Sequence, residues 1–554
     1  MCGILGGINT SFDDESVARL HHRGPDQRQL AHSPIDEATT LTLGQTRLNI
    51  VDRHNIALPV TLPQKRDLPE GERATIVFNG EIYNYLELRD ELSALGWDFA
   101  TKTDTEVALA AYLEWGPSCL ARFNGMFAIG IWDGEQLFLA RDRMGKKPLF
   151  YRSRGRSFEF ASEVKAFSEL QFVGNELFDL FEFCFNEHTV YRDVFQLPPG
   201  HYLLLHPGRG TLHIEGYWDI PHQIDKHVSN PDEAVDTFVE LLTDAVRIRM
   251  RADVPVAVFL SGGLDSSLIA ALAGAEQAFT CQFAEFVDTI DEETYAKDLA
   301  QRLDLPINIV RPNRDEFLAD LGKLAYHLEI PTGSFSVFPL YRLGKAVHDG
   351  GFKVVLSGEG SDELFAGYAR NEFLIGEHRD TTNPKMRSYG SMLRRYDGSD
   401  LDRFCRMASR SGLAGAAQMR NFLANMWSDQ KSLVQNLCYV ETRQFIQPLL
   451  QMGDRMTMAH SVEARCPFLD YRLVEFAFSL DDAIRHRNGQ GKWIVHEAAK
   501  RVLPQGALAL QRGEKHGLPT PVNLWMQGQH SFDRKYWNAL MTAECIKCLQ
   551  RSPS

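Results

Sequence analysis

Three short stretches of this chain carry residues whose types and spacing can do chemistry. The first is "MCGILGG" (1–7), which places a thiol at Cys2. Once Met1 is removed, Cys2 carries a free α-amino group as well, and the reference pKa of that amine, about 7.7–8.0, suits a general base near neutrality. A thiol with its own base attached can attack an amide. An ordinary buried cysteine is the alternative when the position is taken alone. The second stretch, "LSGGLDSS" (260–267), is a Gly-rich turn between an apolar strand and a helix. Its unpaired N–H groups and the positive end of the helix dipole favour a phosphate. Gly262 and Gly263 let the backbone close on an anion, Ser261 and Ser266 add hydroxyl donors, and Asp265 adds a hard oxygen suited to Mg²⁺. The spacing and lysine of the P-loop are absent. A plain strand-to-helix turn would have the same outline.

The third stretch, "VLSGEGSDELFAGY" (355–368), follows another apolar strand and packs Glu359, Asp362 and Glu363 into a turn with Ser357, Gly358 and Gly360. An acidic helix N-terminus is its bland reading. Loops after parallel strands lie along one edge of their sheet, so both turns are expected at one site. Several carboxylates would repel a triphosphate unless a divalent cation lay between. The pairing therefore predicts Mg²⁺ with a nucleotide, ATP, rather than bare phosphate.

The elements that must position these residues fall into two groups. The first two hundred residues carry short strand-like runs, "ATIVFNG" (74–80), "GMFAIGIWD" (125–133) and "QLFLARDR" (136–143), with helical segments near 84–95 and 104–115, an α+β pattern. "LPPGHYLLL" (197–205) reads as a last strand, and residues 206–228, rich in His, Pro, Gly and Asp, as a connector. A second domain, 229–554, opens on a helix signal: Asn230 as cap, Pro231 at the first position, Glu233 as the capping-box acid, then Val235, Phe238, Val239, Leu242 and Val246 on one face. From 254 the strand, Gly/Ser loop and helix alternate, which predicts an α/β parallel sheet with helices on its faces, and the part from about 370 reads as mainly helical.

Composition narrows the function further. The chain has 554 residues, 44% hydrophobic and 24% charged, with a net charge of −14. That is ordinary for a globular protein of two domains and argues against nucleic-acid backbone binding as the main task. Nine scattered cysteines fit a reducing compartment, and neither a membrane span nor a signal peptide is legible, so the expected location is the cytoplasm. The lone C-x-x-C at Cys545 and Cys548 has no second pair and reads as two ordinary thiols.

"SGGLDSS" resembles the pyrophosphate-binding motif of the ATP pyrophosphatases. "LSGEGSDELFAGY", "MTMAHSVEARCPFLD" (456–470) and "GKWIVHEAAKRVLP" (491–504) resemble the synthetase domain of the glutamine-dependent asparagine synthetases. "HHRGPD" (21–26), "RLNIVD" (47–52), "FNGEIYN" (78–84), "TDTEV" (103–107) and "ARDRMGKKPLFY" (140–151) resemble the N-terminal-nucleophile (Ntn) glutaminase domain of class II amidotransferases. The resemblance implies an Ntn sandwich over 1–205 and an ATP-pyrophosphatase-like domain beyond the connector. It implies ATP contacts at Leu260, Ser261, Gly263, Asp265, Ser266, Ser357 and Gly358, with Cys281 on the adenine side, and a metal held by Asp265 and Asp362. Glu359 stands where the family places the acid needed to form the acyl-adenylate, and Lys492 matches the lysine that stabilises charge during adenylation and amide formation. In the first domain it implies Cys2 as nucleophile and Arg47 on the glutamine α-carboxylate, with Ile50 and Val51 close by. Asp104 and Glu81 would receive the α-amino group, and Asn79 and Gly80 would form the oxyanion hole. An ammonia tunnel between the sites follows, with Met126 a candidate wall residue, and related enzymes often form dimers.

The implied partners are small molecules, namely glutamine, ATP and a carboxylate, with aspartate the default acceptor. The pattern departs at "LEIPTGSFSVFP" (328–339), where many relatives have an acidic "DEP…D". Ile330 and Ser334 replace acids there, and Gln282 replaces the usual Gly before Phe, changes expected to touch the nucleotide or acceptor pocket. Amidation of another carboxylate in a secondary or cell-envelope pathway is the rival. Ring closure like that of a β-lactam synthetase needs no ammonia and is disfavoured by the near-complete glutaminase set, as a silent binding relative is by Cys2, Asp265, Glu359, Asp362 and Lys492.

Overall fold

In the first half, apolar residues alternate along the strands, so that each strand buries one face against a partner sheet and the other against helices. The computed structural model describes residues 2–550 apart from 55, 62–63, 66–73, 175–177, 179–180, 182, 185–186, 222–226, 287–290, 377–383, 394–395, 410–411, 488–489, 512–519 and 527–533. Met1 lies outside the described residues. Two antiparallel six-stranded sheets form a sandwich. In one, Cys2–Ile8 is an inner strand between Thr39–Arg47 and Ser157–Ala161; in the other, Thr75–Ile82 pairs with Gly125–Trp132. Ile4, Leu43, Val77, Ala128, Leu139 and Phe160 meet between the sheets. The neighbours of Val77 in the strand, Ile76 and Phe78, point the other way onto the helices Tyr85–Ala94 and Asp104–Trp115.

The boundary expected at 205 falls inside this sandwich. Thr211–Gly216 pairs with His201–His206 and adds an edge strand to the second sheet. Its residues are mostly exposed, only Leu212 and Ile214 are apolar, and the turn before it contains Pro207 and a left-handed Gly210, so the hairpin resembled a connector in sequence.

The second half is built on a five-stranded parallel sheet in the order Ile307–Val310, Gln277–Cys281, Val256–Phe259, Val354–Leu356, Glu463–Arg465. The helix Pro231–Arg249 starts where Asn230 accepts hydrogen bonds from the amides of Asp232 and Glu233. Helices make up most of the chain after 369. The last of them, Arg534–Gln550, buries Trp537, Met541 and Cys545 against the helix Arg314–Leu328 and other elements of the second domain. The thiols of Cys545 and Cys548 donate to the carbonyls of Ala325 and Gly322.

The two halves meet across buried charge. Glu163 and Lys165 of the first half face Glu329, Asp454 and Arg455 of the second. Arg455 lies 2.7 Å from Glu163 and 2.8 Å from Glu329, and Arg23 bridges Glu163 and Asp454 at 2.9 Å each. Lys147 adds a contact to Asp454 at 3.1 Å. Burial alone would raise the Asp454 carboxyl, but Arg23 and Lys147 hold it down at about 2. Removing one partner from such a set leaves an unpaired buried charge, at a cost of about 3–5 kcal/mol.

Candidate active site

The first site grows from strand pairing. Cys2 lies opposite Arg47 and is only 6% exposed. Its backbone nitrogen donates to Asn79 Oδ1 at 3.2 Å, and its thiol sulfur accepts from Gln45 Nε2 at 3.3 Å. Arg23 Nε donates to the Cys2 carbonyl at 3.1 Å. Gly80 crosses so close to the neighbouring strand that a Cβ would stand 2.1 Å from the Met126 carbonyl oxygen; no other residue fits. The Arg47 guanidinium is oriented by the carbonyls of Val51 (3.1 Å), Asp52 (2.6 Å) and His54 (2.8 Å). Val51 is thus at the expected place, whereas the Ile50 carbonyl accepts from the amide of Asp253 in the second domain.

Asp104 opens its helix after the cap Thr103, and its carboxylate accepts from the Ile82 amide at 2.9 Å. Burial lifts its pKa to about 6. Glu81 is raised as well, first by burial and then by Asp104 and Glu463, with Arg465 opposing at 3.6 Å. An ammonium group arriving here would meet two carboxyls that lack full compensation. Gln45 and Arg23 belong to the site although no role was expected for either; Arg23 sits inside the quoted "HHRGPD", and Gln45 falls two residues before "RLNIVD".

The second site is a cavity of about 470 Å³ at the C-terminal edge of the parallel sheet. The turn after Val256–Phe259 contains Gly262 in a left-handed conformation, where a Cβ would stand 2.4 Å from Tyr295 Cβ. Ser266 Oγ accepts from the Ser261 amide at 3.2 Å and pairs with the Ser261 hydroxyl at 3.1 Å, which closes the turn at the start of the helix Leu264–Ala273. Gly358, from the second turn, packs against Asp265 and Ser266. Leu260, Ser261, Asp265, Ser266, Ser357 and Gly358 all line the cavity, and so do Glu359 and Asp362. Gly263 lies in the turn as the residue capping the helix. Cys281 also lines the cavity, with its thiol pushed up by burial and then by Glu292, another wall residue that sequence reasoning missed.

Lys492 Nζ stands 2.5 Å from Asp265 Oδ1 and 3.0 Å from Asp362 Oδ1. Two carboxylates from different turns therefore converge on one cation position. This donor set fits Mg²⁺, which takes one or two carboxylates and completes its shell with phosphate oxygens and water. No cluster of three or more His, Cys, Asp or Glu that could hold a metal occurs among the described residues.

Glu359 also meets the first domain. Lys146, from the first domain, lies 3.4 Å from Glu359 Oε2, and the Cys466 thiol donates to the same oxygen at 3.3 Å. Beside this pair a small cavity of about 20 Å³ lies between the domains, lined among others by Met126, Met144, Lys146, Arg249, Cys466 and Leu469. Two expected pocket residues lie elsewhere. Ile330 packs in the core of the first domain with Leu5 and Phe150, and Gln282 accepts from the amides of Glu292 and Glu293, capping the helix Glu292–Arg302. Neither lines the cavity, because the backbone turns both side chains into packed elements.

Known proteins fit this geometry. An asparagine synthase family model matches residues 237–539, and a glutamine amidotransferase domain model matches residues 1–218. The chain is 29% identical to asparagine synthetase [glutamine-hydrolyzing] 1 of Bacillus subtilis, over 96% of this chain and 88% of the relative. It is 30% identical to a putative asparagine synthetase [glutamine-hydrolyzing] of Mycobacterium tuberculosis, over 97% and 90%. It is also 28% identical to amidase chyE of Penicillium rubens, over 88% and 82%. Matched by the first of these models over more than half of its length, the chain belongs to the asparagine synthase family and is a glutamine-dependent ligase.

Proposed function

We propose that the protein turns a carboxylic acid into its amide, with glutamine as nitrogen donor and ATP as the activating co-substrate. With Met1 removed, the Cys2 amine takes the thiol proton and the sulfur attacks the glutamine side-chain carbonyl carbon. The C–N bond breaks, ammonia leaves with the returned proton, and water releases glutamate from the thioester. Asn79 and the Gly80 amide stabilise the oxyanion. Arg47 takes the α-carboxylate, with Val51 at its base, while Asp104 and Glu81 take the α-ammonium. Ammonia crosses the domain boundary past Met126.

At the second site an acceptor carboxylate oxygen attacks the α-phosphorus of ATP. An O–P bond forms, pyrophosphate leaves, and the acyl-adenylate loses AMP when ammonia attacks its carbonyl carbon. Leu260, Ser261, Gly263, Asp265, Ser266, Cys281, Ser357 and Gly358 hold the nucleotide, and Glu359 faces the forming acyl-adenylate. Asp265 and Asp362 would hold Mg²⁺, which would supply charge neutralisation for the leaving pyrophosphate. Lys492 adds a fixed cation there. The observation that carries this reading is the Lys146–Glu359 pair at 3.4 Å with a small cavity beside it, which links a glutaminase half to an adenylation half.

L-aspartate is the acceptor that the relatives' names suggest, giving L-asparagine. A different carboxylate is favoured by the loss of acid at Ser334, beside the adenylation cavity. No helix among the described residues is long and apolar enough to cross a membrane. The reading includes work in the cytoplasm as a homodimer. The test is synthesis with amide-¹⁵N glutamine in excess unlabelled ammonium. The product amide should carry ¹⁵N, and a product with the isotope content of free ammonium would sink the two-site reading.

A further inference from the structure

A second cavity, of about 310 Å³, opens beside the nucleotide cavity. Tyr368, Leu449 and Met452 line both. Glu359 lies against the same helix, Gln447–Met458, since a Cβ added to Gly453 would stand 3.1 Å from Glu359 Oε1. A carboxylate presented to ATP at this junction would extend the rest of its molecule into the second cavity. The volume is at the lower end of ordinary small-molecule pockets, about 300–1,000 Å³.

The walls of that cavity are apolar and aromatic: Phe181, Phe183, Tyr389, Met407, Met419 and Phe445. Arg370 is the one charged side chain among the described residues of the lining. Its charge is balanced by the buried Glu441, with Arg370 Nε donating to Glu441 Oε1 at 2.8 Å. Its guanidinium also stacks on Tyr368, 4.2 Å from the ring centre. The remaining wall is Thr332, Gly333 and Ser334, from the loop where acids were expected in relatives. This loop is pinned, because Trp537 Nε1 donates to the Thr332 carbonyl at 2.9 Å and the Thr520 hydroxyl donates to the Phe335 carbonyl at 3.2 Å. The Ser334 hydroxyl accepts from the Ser336 amide at 3.3 Å.

Aspartate brings an ammonium and a second carboxylate in addition to the reacting group. Among the described residues of this lining neither charge has a dedicated counter-ion, and stripping water from both is costly. An aromatic or branched hydrocarbon body would instead bury its surface against matching walls. Resting on the adenylation reading above, we infer that the acceptor is a monocarboxylic acid with a bulky apolar body, seated in the cavity between the 332–334 loop and Phe445.

The test is pyrophosphate release by the full chain with ATP, Mg²⁺ and glutamine, comparing 3-phenylpropanoate, 4-methylpentanoate and L-aspartate. The apolar acids should exceed aspartate in kcat/KM by at least about tenfold, the discrimination that a few apolar carbons give. Aspartate faster than both would overturn the inference and leave the adenylation reading standing. No release with any acid, while glutamine is still hydrolysed, would overturn both. As a second arm, Ala408→Trp, which fills the cavity from the end of the helix Asp400–Ala408, should raise the KM of the preferred apolar acid by about tenfold more than that of ATP. Equal changes in the two would count against this cavity as the acceptor seat.

Discussion

The two proposed sites, one for glutamine hydrolysis and one for adenylation, are built in opposite ways. The first is made by strand register. Cys2 faces Arg47 because two strands pair at that residue, and the reactive group is 6% exposed with partners on its nitrogen, sulfur and carbonyl. The second is made by turns that meet around space. Asp265, the turn holding Glu359 and Asp362, and Lys492 lie far apart in the chain, and they surround or adjoin about 470 Å³. A site specified by backbone pairing leaves little room for a change of substrate. A site lined by side chains can keep its nucleotide chemistry and take a different acceptor when a few wall residues change.

The sharpest way to separate the two regions is Cys2→Ala. Glutamine-dependent amide formation should fall by at least about 10³-fold, the scale of losing a nucleophile, while ammonium-driven synthesis persists. Equal loss with both nitrogen sources, read by pyrophosphate release, would mean that the sites are not divided as described. Asp265→Ala makes the complementary break. Pyrophosphate release should drop about 10²–10³-fold with either nitrogen source, and glutamine hydrolysis measured by glutamate release should outlast it.

A smaller effect tests the charge of the first site. Burial places the Asp104 pKa at about 6, so this carboxyl is ionised above that pH and neutral below it. Because the glutamine ammonium needs the ionised form, the KM for glutamine should rise about tenfold between pH 7 and pH 5. Asp104→Asn should start from a raised KM and lose that pH dependence; an unchanged profile would exclude Asp104 as the titrating group. The smallest effect belongs to Gln45→Leu, which removes the donor 3.3 Å from the Cys2 sulfur. A loss of about three- to tenfold in glutaminase kcat, with adenylation spared, is expected from one hydrogen bond.

Much of the site could be read in the chain because its motifs are local. "SGGLDSS" needs its glycines within one turn, and the helix expected near 104–115 is Asp104–Trp115. Residues that act by approach from a distance were less legible. Lys146 is an ordinary lysine in sequence and becomes part of the site only when the first domain sets it against Glu359. Glu329 was grouped with the acceptor loop, yet it lies between Arg455 and Lys165 in the domain interface. Ile330 turns into the first domain for the same reason: the chain leaves its helix at Glu329 in a left-handed conformation, which re-aims the residues that follow.

By itself the sequence determined the reaction class. A thiol at position 2, and two Gly-rich turns with their carboxylates, are short-range patterns that suggest chemistry wherever the chain folds locally as expected. Only the tertiary structure decided which residues meet between the domains and what lines the cavity beside the nucleotide cavity. Those depend on packing between elements hundreds of residues apart, Lys146 against Glu359 and Phe181 against Phe445, and such contacts are set by how whole domains bury their surfaces.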